Sequence, residues 1–196
     1  MTIWELRCAS INDYSPTVPL DRGDMFAELF RVTGKPLLWG KVPPIGFADS
    51  SRRKYKRPPA DVSVMVPGAL VLNTHAYEVL GPFLSKFGQL LELRSETGLD
   101  PRRYYNEAKP STWYFYNVTN IVPCVDAERS ERSDLGHIRQ EVFDTTNVPA
   151  EAAVFKDPAT ARSRMYVNDA GKAIIDGLVA SAGLSGIECG PPEPRL

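Results

Sequence analysis

The sequence has little of what metal sites, disulfide frameworks and membrane spans require. It holds two histidines and three cysteines in 196 residues, and none stands in the CxxC or HExxH spacing that places two ligands side by side. Cys8, Cys124 and Cys189 are odd in number and far apart, which predicts small buried thiols in a reducing compartment. No apolar run approaches the roughly 20 residues of a membrane-spanning helix. We therefore expect no metal, no cofactor, no membrane partner and a cytoplasmic location.

The sequence also lacks an excess of charge of either sign. Its 23 Lys and Arg residues oppose 24 Asp and Glu residues, a formal net charge of −1 at pH 7. Nucleic-acid-binding domains usually carry a global basic excess, so the balance argues against a nucleic acid as partner. The charge is uneven along the chain, because residues 1–60 hold ten basic and six acidic side chains.

Catalytic and phosphate-binding motifs are missing too. Thr33-Gly34-Lys35-Pro36 lacks the upstream glycine of a phosphate-binding loop, and proline stands where that loop needs a magnesium-binding hydroxyl. Cys124 with His137 could form a nucleophile and base, and residues 126–144 hold acidic side chains that could form a glycosidase-type pair, but spacing alone supports neither. We predict that the chain is not an enzyme.

Residues 1–60 are punctuated by proline and turn residues, which predicts an N-terminal segment or small lobe ahead of an α+β core over 61–196. We expect the two parts to share one hydrophobic core. The segment contains five cations around one aromatic residue: Arg52, Arg53, Lys54, Tyr55, Lys56 and Arg57. These are the candidate partner-binding residues, suited to an acidic protein surface or a phosphate backbone. The alternative is a solvated loop, since like charges repel one another.

One stretch of the core predicts strand, helix and strand. Residues 69–72 form a short apolar strand, and apolar residues then recur at helical spacing over 74–87, where either Asn73 or Thr74 can cap the helix. Pro82 predicts a kink or restart, Gly88 the end of the helix, and residues 89–93 the next strand.

The same order recurs 95 residues later. Residues 165–167 form a strand, Asn168 caps a helix over 169–182, Gly183 ends it and residues 187–189 follow as a strand. Either a pseudo-repeat or two independent uses of a common motif would produce this pattern.

Between these stretches lies the segment richest in aromatic and branched residues, 112–125. We predict an α+β fold with a single mixed or mainly antiparallel sheet built around it and both helices packed on that sheet. The aromatics at 113–116 are interpreted as core residues, with a ligand pocket as the alternative. Residues 141–144 predict another short strand.

Several motifs within about residues 60–190 also resemble a known family. They are Tyr114-x-Tyr116-Asn117-Val118-Thr119-Asn120-Ile121-Val122-Pro123-Cys124-Val125-Asp126, Arg164-Met165-Tyr166-Val167-Asn168-Asp169, Ala182-Gly183-Leu184-Ser185-Gly186-Ile187-Glu188, Ile138 through Phe143-Asp144, and the helix around Val79-Leu80-x-Pro82. In combination they resemble immunity-protein family eleven of bacterial polymorphic toxin systems, formerly described as a domain of unknown function.

The resemblance implies a small cytoplasmic α+β protein that binds a cognate bacterial toxin domain and blocks its active site, without catalysis. It assigns no role to individual residues, so the contact through residues 52–57 is a separate hypothesis. Two alternatives stay open: a small enzyme or ligand-binding domain with an aromatic-lined pocket, and a nucleic-acid accessory protein that uses the basic segment. A homo-oligomer also stays open.

Overall fold

The computed structural model describes residues 1–9, 12–21, 26–50 and 52–194, apart from the side chains of residues 26 and 27. The described residues form thirteen strands and three helices: β1 (Ile3–Cys8), β2 (Thr17–Pro19), α1 (Phe26–Leu29), β3 (Pro44–Ala48), β4 (Val62–Ser63), β5 (Leu70–Asn73), α2 (Thr74–Leu84), β6 (Gly88–Ser95), β7 (Tyr104–Tyr105), β8 (Thr112–Val118), β9 (Glu131–Arg132), β10 (Ile138–Gln140), β11 (Val154–Phe155), β12 (Tyr166–Asn168), α3 (Asp169–Ala182) and β13 (Ile187–Gly190). None of these helices is long and apolar enough to cross a membrane.

The strands form three sheets, so the α+β class is confirmed and the expected single sheet is wrong. A seven-stranded sheet has the order β2-β3-β6-β8-β5-β4, with β7 on β3, and a four-stranded sheet has the order β11-β12-β1-β13. The pair β9 and β10 stands apart. The larger sheet is rolled nearly into a barrel. Its two edges meet where the Thr17 amide in β2 donates to Ser63 Oγ in β4, 3.1 Å away. Closure of this kind removes exposed strand edges.

The two predicted strand-helix-strand stretches share one spatial arrangement. In each, the strands that flank the helix run parallel and an antiparallel strand lies between them: β8 between β5 and β6, and β1 between β12 and β13. A short antiparallel strand borders each group, β4 beside β5 and β11 beside β12. The recurrence seen in the sequence is therefore part of a recurrence of four strands and one helix.

Matching contacts begin both helices. Asn73 Oδ1 accepts from the Ala76 amide at 2.8 Å, and Asn168 Oδ1 accepts from the Gly171 amide at 2.9 Å, so both predicted caps are confirmed. One turn along each helix, a side chain covers an aromatic residue of the inserted strand. Tyr77 stacks on Tyr114 with ring centroids 3.7 Å apart, and Lys172 Nζ lies 5.1 Å from the centroid of Trp4.

The two helices end differently. Gly183 ends α3 with a left-handed φ of 65°, as predicted. The helix predicted over 74–87 instead ends at Leu84, with Pro82 in its last turn. Gly88 is the first residue of β6, where a Cβ would collide with the Asn117 carbonyl oxygen. This glycine serves close strand pairing and not helix termination.

The predicted strands also need two corrections of length. The β-rich segment 112–125 gives a strand only as far as Val118, after which Ile121 and Val125 each make a single bridge. Residues 141–144 form no strand, since the described strand there is β10 and Phe143 makes only the bridge to Val125.

Three clusters of buried apolar side chains hold these layers together. One joins both helices to both main sheets and includes Leu80 and Val167. A second fills the inside of the rolled sheet around Phe47 and Phe115. A third lies on the other face of the four-stranded sheet around Phe155.

Two cations are buried among these clusters. Arg164 Nη1 lies 2.5 Å from Glu5 Oε2, and its Nε lies 2.5 Å from Glu141 Oε1. Lys156 is fully buried, and its Nζ donates to the carbonyl oxygens of Gly68 at 2.6 Å and Ala161 at 2.7 Å. Burial lowers the pKa of Lys156 to about 7. A neutral amine has two N–H groups, which match these two acceptors.

We expect Lys156 to make stability rise with pH above neutrality. Between the folded pKa of about 7 and the usual value of 10.5, the unfolded chain binds a proton that the folded chain does not, so the free energy of unfolding increases with pH. The gain should be about 2 kcal/mol between pH 7 and 9. Urea unfolding of the wild type, Lys156→Met and the exposed control Lys41→Met tests this. An equal slope in wild type and Lys156→Met would contradict it.

We expect Asn168 to contribute more to stability than its counterpart Asn73. Besides capping α3, Asn168 Nδ2 donates to the carbonyl oxygens of Pro149 and Glu151, at 2.8 and 2.6 Å. Asn168→Ala should cost about 3 kcal/mol, because it removes a cap and leaves buried acceptors unpaired. Asn168→Asp keeps the capping oxygen but sets a buried carboxylate oxygen against these two carbonyl oxygens, so in thermal unfolding it should cost at least as much as Asn168→Ala. A smaller loss from Asn168→Ala than from Asn73→Ala would refute this order.

Candidate functional site

The predicted partner-binding residues lie on the connection from β3 to β4, at one end of the rolled sheet. The connection is anchored by Asp49, whose side chain is only 2% exposed. Its carboxylate accepts two hydrogen bonds from Arg57, from Nε at 2.6 Å and from Nη2 at 2.8 Å. The bond from Arg57 is the main reason that the pKa of Asp49 is lowered to about 2. The anchor is therefore ionised throughout the neutral and mildly acidic range.

Further bonds fasten the backbone of the same loop. Lys56 Nζ donates to the carbonyl oxygens of Ser50 and Arg53, at 2.7 and 3.2 Å. Ser15, which precedes β2, donates through Oγ to the Arg57 carbonyl oxygen at 2.5 Å and through its amide to the Pro58 carbonyl oxygen at 3.1 Å. The loop is thus tied to itself and to the neighbouring edge of the sheet.

The six predicted residues divide into two groups. Lys56 and Arg57 hold the loop, as described. Tyr55 projects with 78% of its surface exposed, and Lys54 Nζ lies 5.4 Å from its ring centroid. Arg52 lies on the surface beside them, and so does Arg53, whose Nε is 3.5 Å from Asp49 Oδ1. The structure therefore brings four of the six residues together as an outward-facing group, which we call the basic loop tip (residues 52–55).

A cleft of about 390 Å³ begins next to the basic loop tip, at Pro58 and Pro59. It is walled by the start of α2, by β7 and by the start of β8. Trp113 and Tyr105 line it, whereas Phe115 and Tyr116 are fully buried core residues. Of the four aromatics at 113–116, then, only Trp113 lines this cleft.

The polar wall of the cleft is organised around Glu107, which belongs to no motif recognisable in the sequence. Glu107 Oε2 accepts from Ser95 Oγ at 2.5 Å and from Ser111 Oγ at 2.6 Å. Ser111 Oγ in turn accepts from Trp113 Nε1 at 2.8 Å. No sequence pattern marks Glu107, because its partners come from two strands and a loop that meet only in the folded protein. The carboxylate is held in a fixed orientation and can accept a hydrogen bond from a ligand.

His75 belongs to a different cluster at the same end of α2. Its Nδ1 lies 3.6 Å from Asp61 Oδ1, and Asp61 Oδ2 accepts from Ser185 Oγ at 2.7 Å. In a hydrolytic triad the imidazole stands between the hydroxyl and the carboxylate. Here the carboxylate stands between the other two, and it links α2 to the segment before β13.

The other candidate chemistry from the sequence is dispersed. Cys124 is buried, and burial raises the pKa of its thiol to about 12, so the thiol is protonated at neutral pH. His137 lies exposed beside the turn of the β9–β10 pair. Asp126 pairs with Arg129, and Glu141 with the buried Arg164. Within the described part of the chain, no group of three His, Cys, Asp or Glu side chains is placed to hold a metal ion.

Comparison with known proteins adds no relative. No protein-family model matches the chain, and no curated protein gives a significant match. The resemblance to an immunity family therefore stays a prediction, and the site must be argued from its own geometry.

Asp49→Ala should release the loop without unfolding the protein. Loss of the carboxylate leaves Arg57 without its bidentate partner, so the backbone opens locally and becomes a protease substrate. Trypsin should then cut within residues 52–57 about tenfold faster, as measured by mass spectrometry. Asp100→Ala is the matched control, because Asp100 also pairs with an arginine, Arg102, at 3.1 Å, but outside this loop. Equal cleavage of both variants would show that Asp49 is no anchor.

Proposed function

We propose that this chain is an immunity protein, which binds a bacterial toxin domain and covers the toxin's active site. The observation that carries the proposal is the basic loop tip, which projects cations and an exposed tyrosine from a loop fastened at Asp49. Arginine and tyrosine are the side chains most enriched among residues that dominate protein–protein affinity. Because the loop is already fastened, little conformational entropy is lost when it is bound.

Charge defines the face of the toxin that this loop would meet. Arg52, Arg53 and Lys54 are adjacent cations, so the partner surface should be acidic. Complementary charges accelerate encounter and select against other partners. A nuclease-type or other metal-dependent active site, lined by carboxylates, would present such a face. The motifs within residues 60–190 that resemble the immunity family support the same function independently of this loop.

The cleft beside the loop supports a second candidate, a small ligand-binding domain or enzyme. Its volume suits a small molecule, and it combines Trp113 and Tyr105 with the oriented Glu107 carboxylate. Thermal stabilisation of the isolated protein by a small molecule, lost in Glu107→Gln, would favour this candidate.

The proposed function predicts capture and rescue. Co-expression with the product of the adjacent gene should give a stoichiometric complex and restore growth where that product alone is toxic. Replacing residues 52–55 by alanine should weaken the complex at least tenfold and flatten the dependence of its Kd on salt. Alanine at the exposed cations Lys86, Arg103 and Lys109 is the control and should change neither.

Each other outcome has a definite meaning. Rescue without capture would replace direct binding by an enzymatic antidote or by protection of the target. Full affinity after loss of the basic loop tip would remove that loop from the interface and leave immunity standing. Failure of both capture and rescue would end the immunity proposal.

A further inference from the structure

A second rigid feature lies at the opposite end of β3 from the basic loop tip. Residues 33–38 precede β3 and cross the other end of the rolled sheet, where β6 begins and β8 ends. Gly34 has a φ of +80°, and a Cβ there would collide with Ile121 Cδ1, so only glycine fits this close approach. The segment is therefore pressed against the body of the protein at its start.

Two side chains of the sheet hold the next residues of this segment. The Lys35 carbonyl oxygen accepts from Asn117 Nδ2 at 2.9 Å. Gln89 binds the backbone of Leu37 on both sides: the Leu37 amide donates to Gln89 Oε1 at 2.7 Å, and Gln89 Nε2 donates to the Leu37 carbonyl oxygen at 3.1 Å. This amide pair imitates a strand partner and leaves little freedom at Leu37.

The residue after Leu38 is anchored as well. Trp39 Nε1 donates to the Leu29 carbonyl oxygen at 2.8 Å, and its ring packs 5.2 Å from Phe30 and 5.7 Å from Phe115. With both of its neighbours held inward, Leu38 points outward and is 92% exposed. It is a rigidly presented apolar side chain and not the end of a free loop.

Cations predominate beside this leucine. Lys35, Arg31 and Arg162, together with one acidic residue, Glu28, line a hollow of about 570 Å³ next to Leu38. Arg31 pairs with Glu28 at 3.1 Å, whereas Lys35 and Arg162 form no ion pair with any residue that the structure describes. The turn that carries Arg162 is held in place by a hydrogen bond from the buried Lys156 to the carbonyl oxygen of Ala161, the residue before Arg162.

We propose that Leu38, Lys35 and Arg162 form a second contact for the toxin, with Leu38 entering an apolar socket whose rim carries carboxylates. The inference rests on the proposed immunity function and names the chemistry of its partner. A protein surface fits better than a nucleic acid, since leucine offers nothing to a phosphate backbone, while a fixed apolar side chain flanked by cations such as Lys35 and Arg162 is typical of an interface anchor.

The two contacts lie at opposite ends of the rolled sheet. Pro44, the first residue of β3, pairs with Arg94 of β6, and Gln89, which holds Leu37, lies five residues earlier in β6. Those β6 residues and the five residues of β3 together separate the contacts by roughly 30 Å along the strands. A standard protein–protein interface buries about 800 Å² on each partner, which is roughly 30 Å across. A toxin that touches both contacts must therefore cover the full width of a standard interface.

The test compares two exposed leucines. Leu38→Asp should weaken binding of the toxin encoded by the adjacent gene at least thirtyfold, because it places a charge in an apolar socket with an acidic rim. Leu135→Asp is the matched control, since Leu135 is 84% exposed but lies at the turn of the β9–β10 pair. Both variants should keep the wild-type melting temperature, because neither side chain is buried.

A charge variant and a crosslink make the test independent of one substitution. Lys35→Glu with Arg162→Glu should weaken binding at least tenfold and reduce its dependence on salt, since Asn117 holds only the backbone of residue 35. A photocrosslinking residue at 38 should attach to a toxin peptide that contains Asp or Glu, and one at 135 should not. If the wild type binds and Leu38→Asp binds equally well, this inference alone is overturned. If the wild type does not bind the toxin, the inference and the proposed function are both overturned.

Discussion

The ion pair between Arg164 and Glu5 joins the two ends of the chain, and the second sheet depends on it. Glu5 belongs to the first strand, β1, while Arg164 lies two residues before the start of β12, almost 160 residues later. The same guanidinium donates through Nη2 to the Glu193 carbonyl oxygen at 2.5 Å, so the C-terminal tail is tied to the same point. A buried charge that loses its partner typically costs 3–5 kcal/mol, far more than the intact pair contributes. The pair thus specifies where β1 goes more than it stabilises the sheet.

Two opposing effects act on the pKa of Glu141, the second carboxylate beside Arg164. Burial raises the pKa of Glu141, and the nearby Arg164 opposes that rise. Tyr166 donates to the same carboxylate at 3.2 Å, so a strand residue helps to keep it ionised. The long excursion between β8 and β11 is thereby attached to the four-stranded sheet by a charged contact, in addition to the hydrogen bonds from Asn120 to Val154 and from Asn168 to residues 149 and 151, and to the apolar contacts around Phe143.

Local features of the fold were predictable from the sequence, and long-range ones were not. Asn73, Asn168 and Gly183 act through hydrogen bonds and φ angles within a few residues, so their roles could be inferred from the residue types alone. The antiparallel strand that completes each repeated unit could not be predicted. In one unit it is β8, which follows the helix in the sequence, whereas in the other it is β1, which comes from the opposite end of the chain. Strand insertion across such distances depends on tertiary packing, which leaves no periodic signal.

In the candidate site, too, features local in the sequence could be predicted and features that depend on long-range contacts could not. The cations of residues 52–57 were visible as a cluster, but Asp49 was not recognisable as their anchor, since one acidic residue beside many basic ones is common. Leu38 could not be recognised from the sequence either, because only the fold shows that Gln89 and Asn117 hold the segment from which it projects.

The positions of the proposed contacts agree with the division of the sequence. Residues 60–190 supply both helices of the repeated units and all of their strands except β1, and therefore most of the scaffold. The basic loop tip, Lys35 and Leu38 all lie in residues 1–60, on the two connections that flank β3. Loops on a rigid scaffold carry binding residues more often than the scaffold itself does, so the placement of these contacts fits a binding role. Arg162, the remaining proposed contact, lies on a turn of the scaffold that the buried Lys156 holds in place.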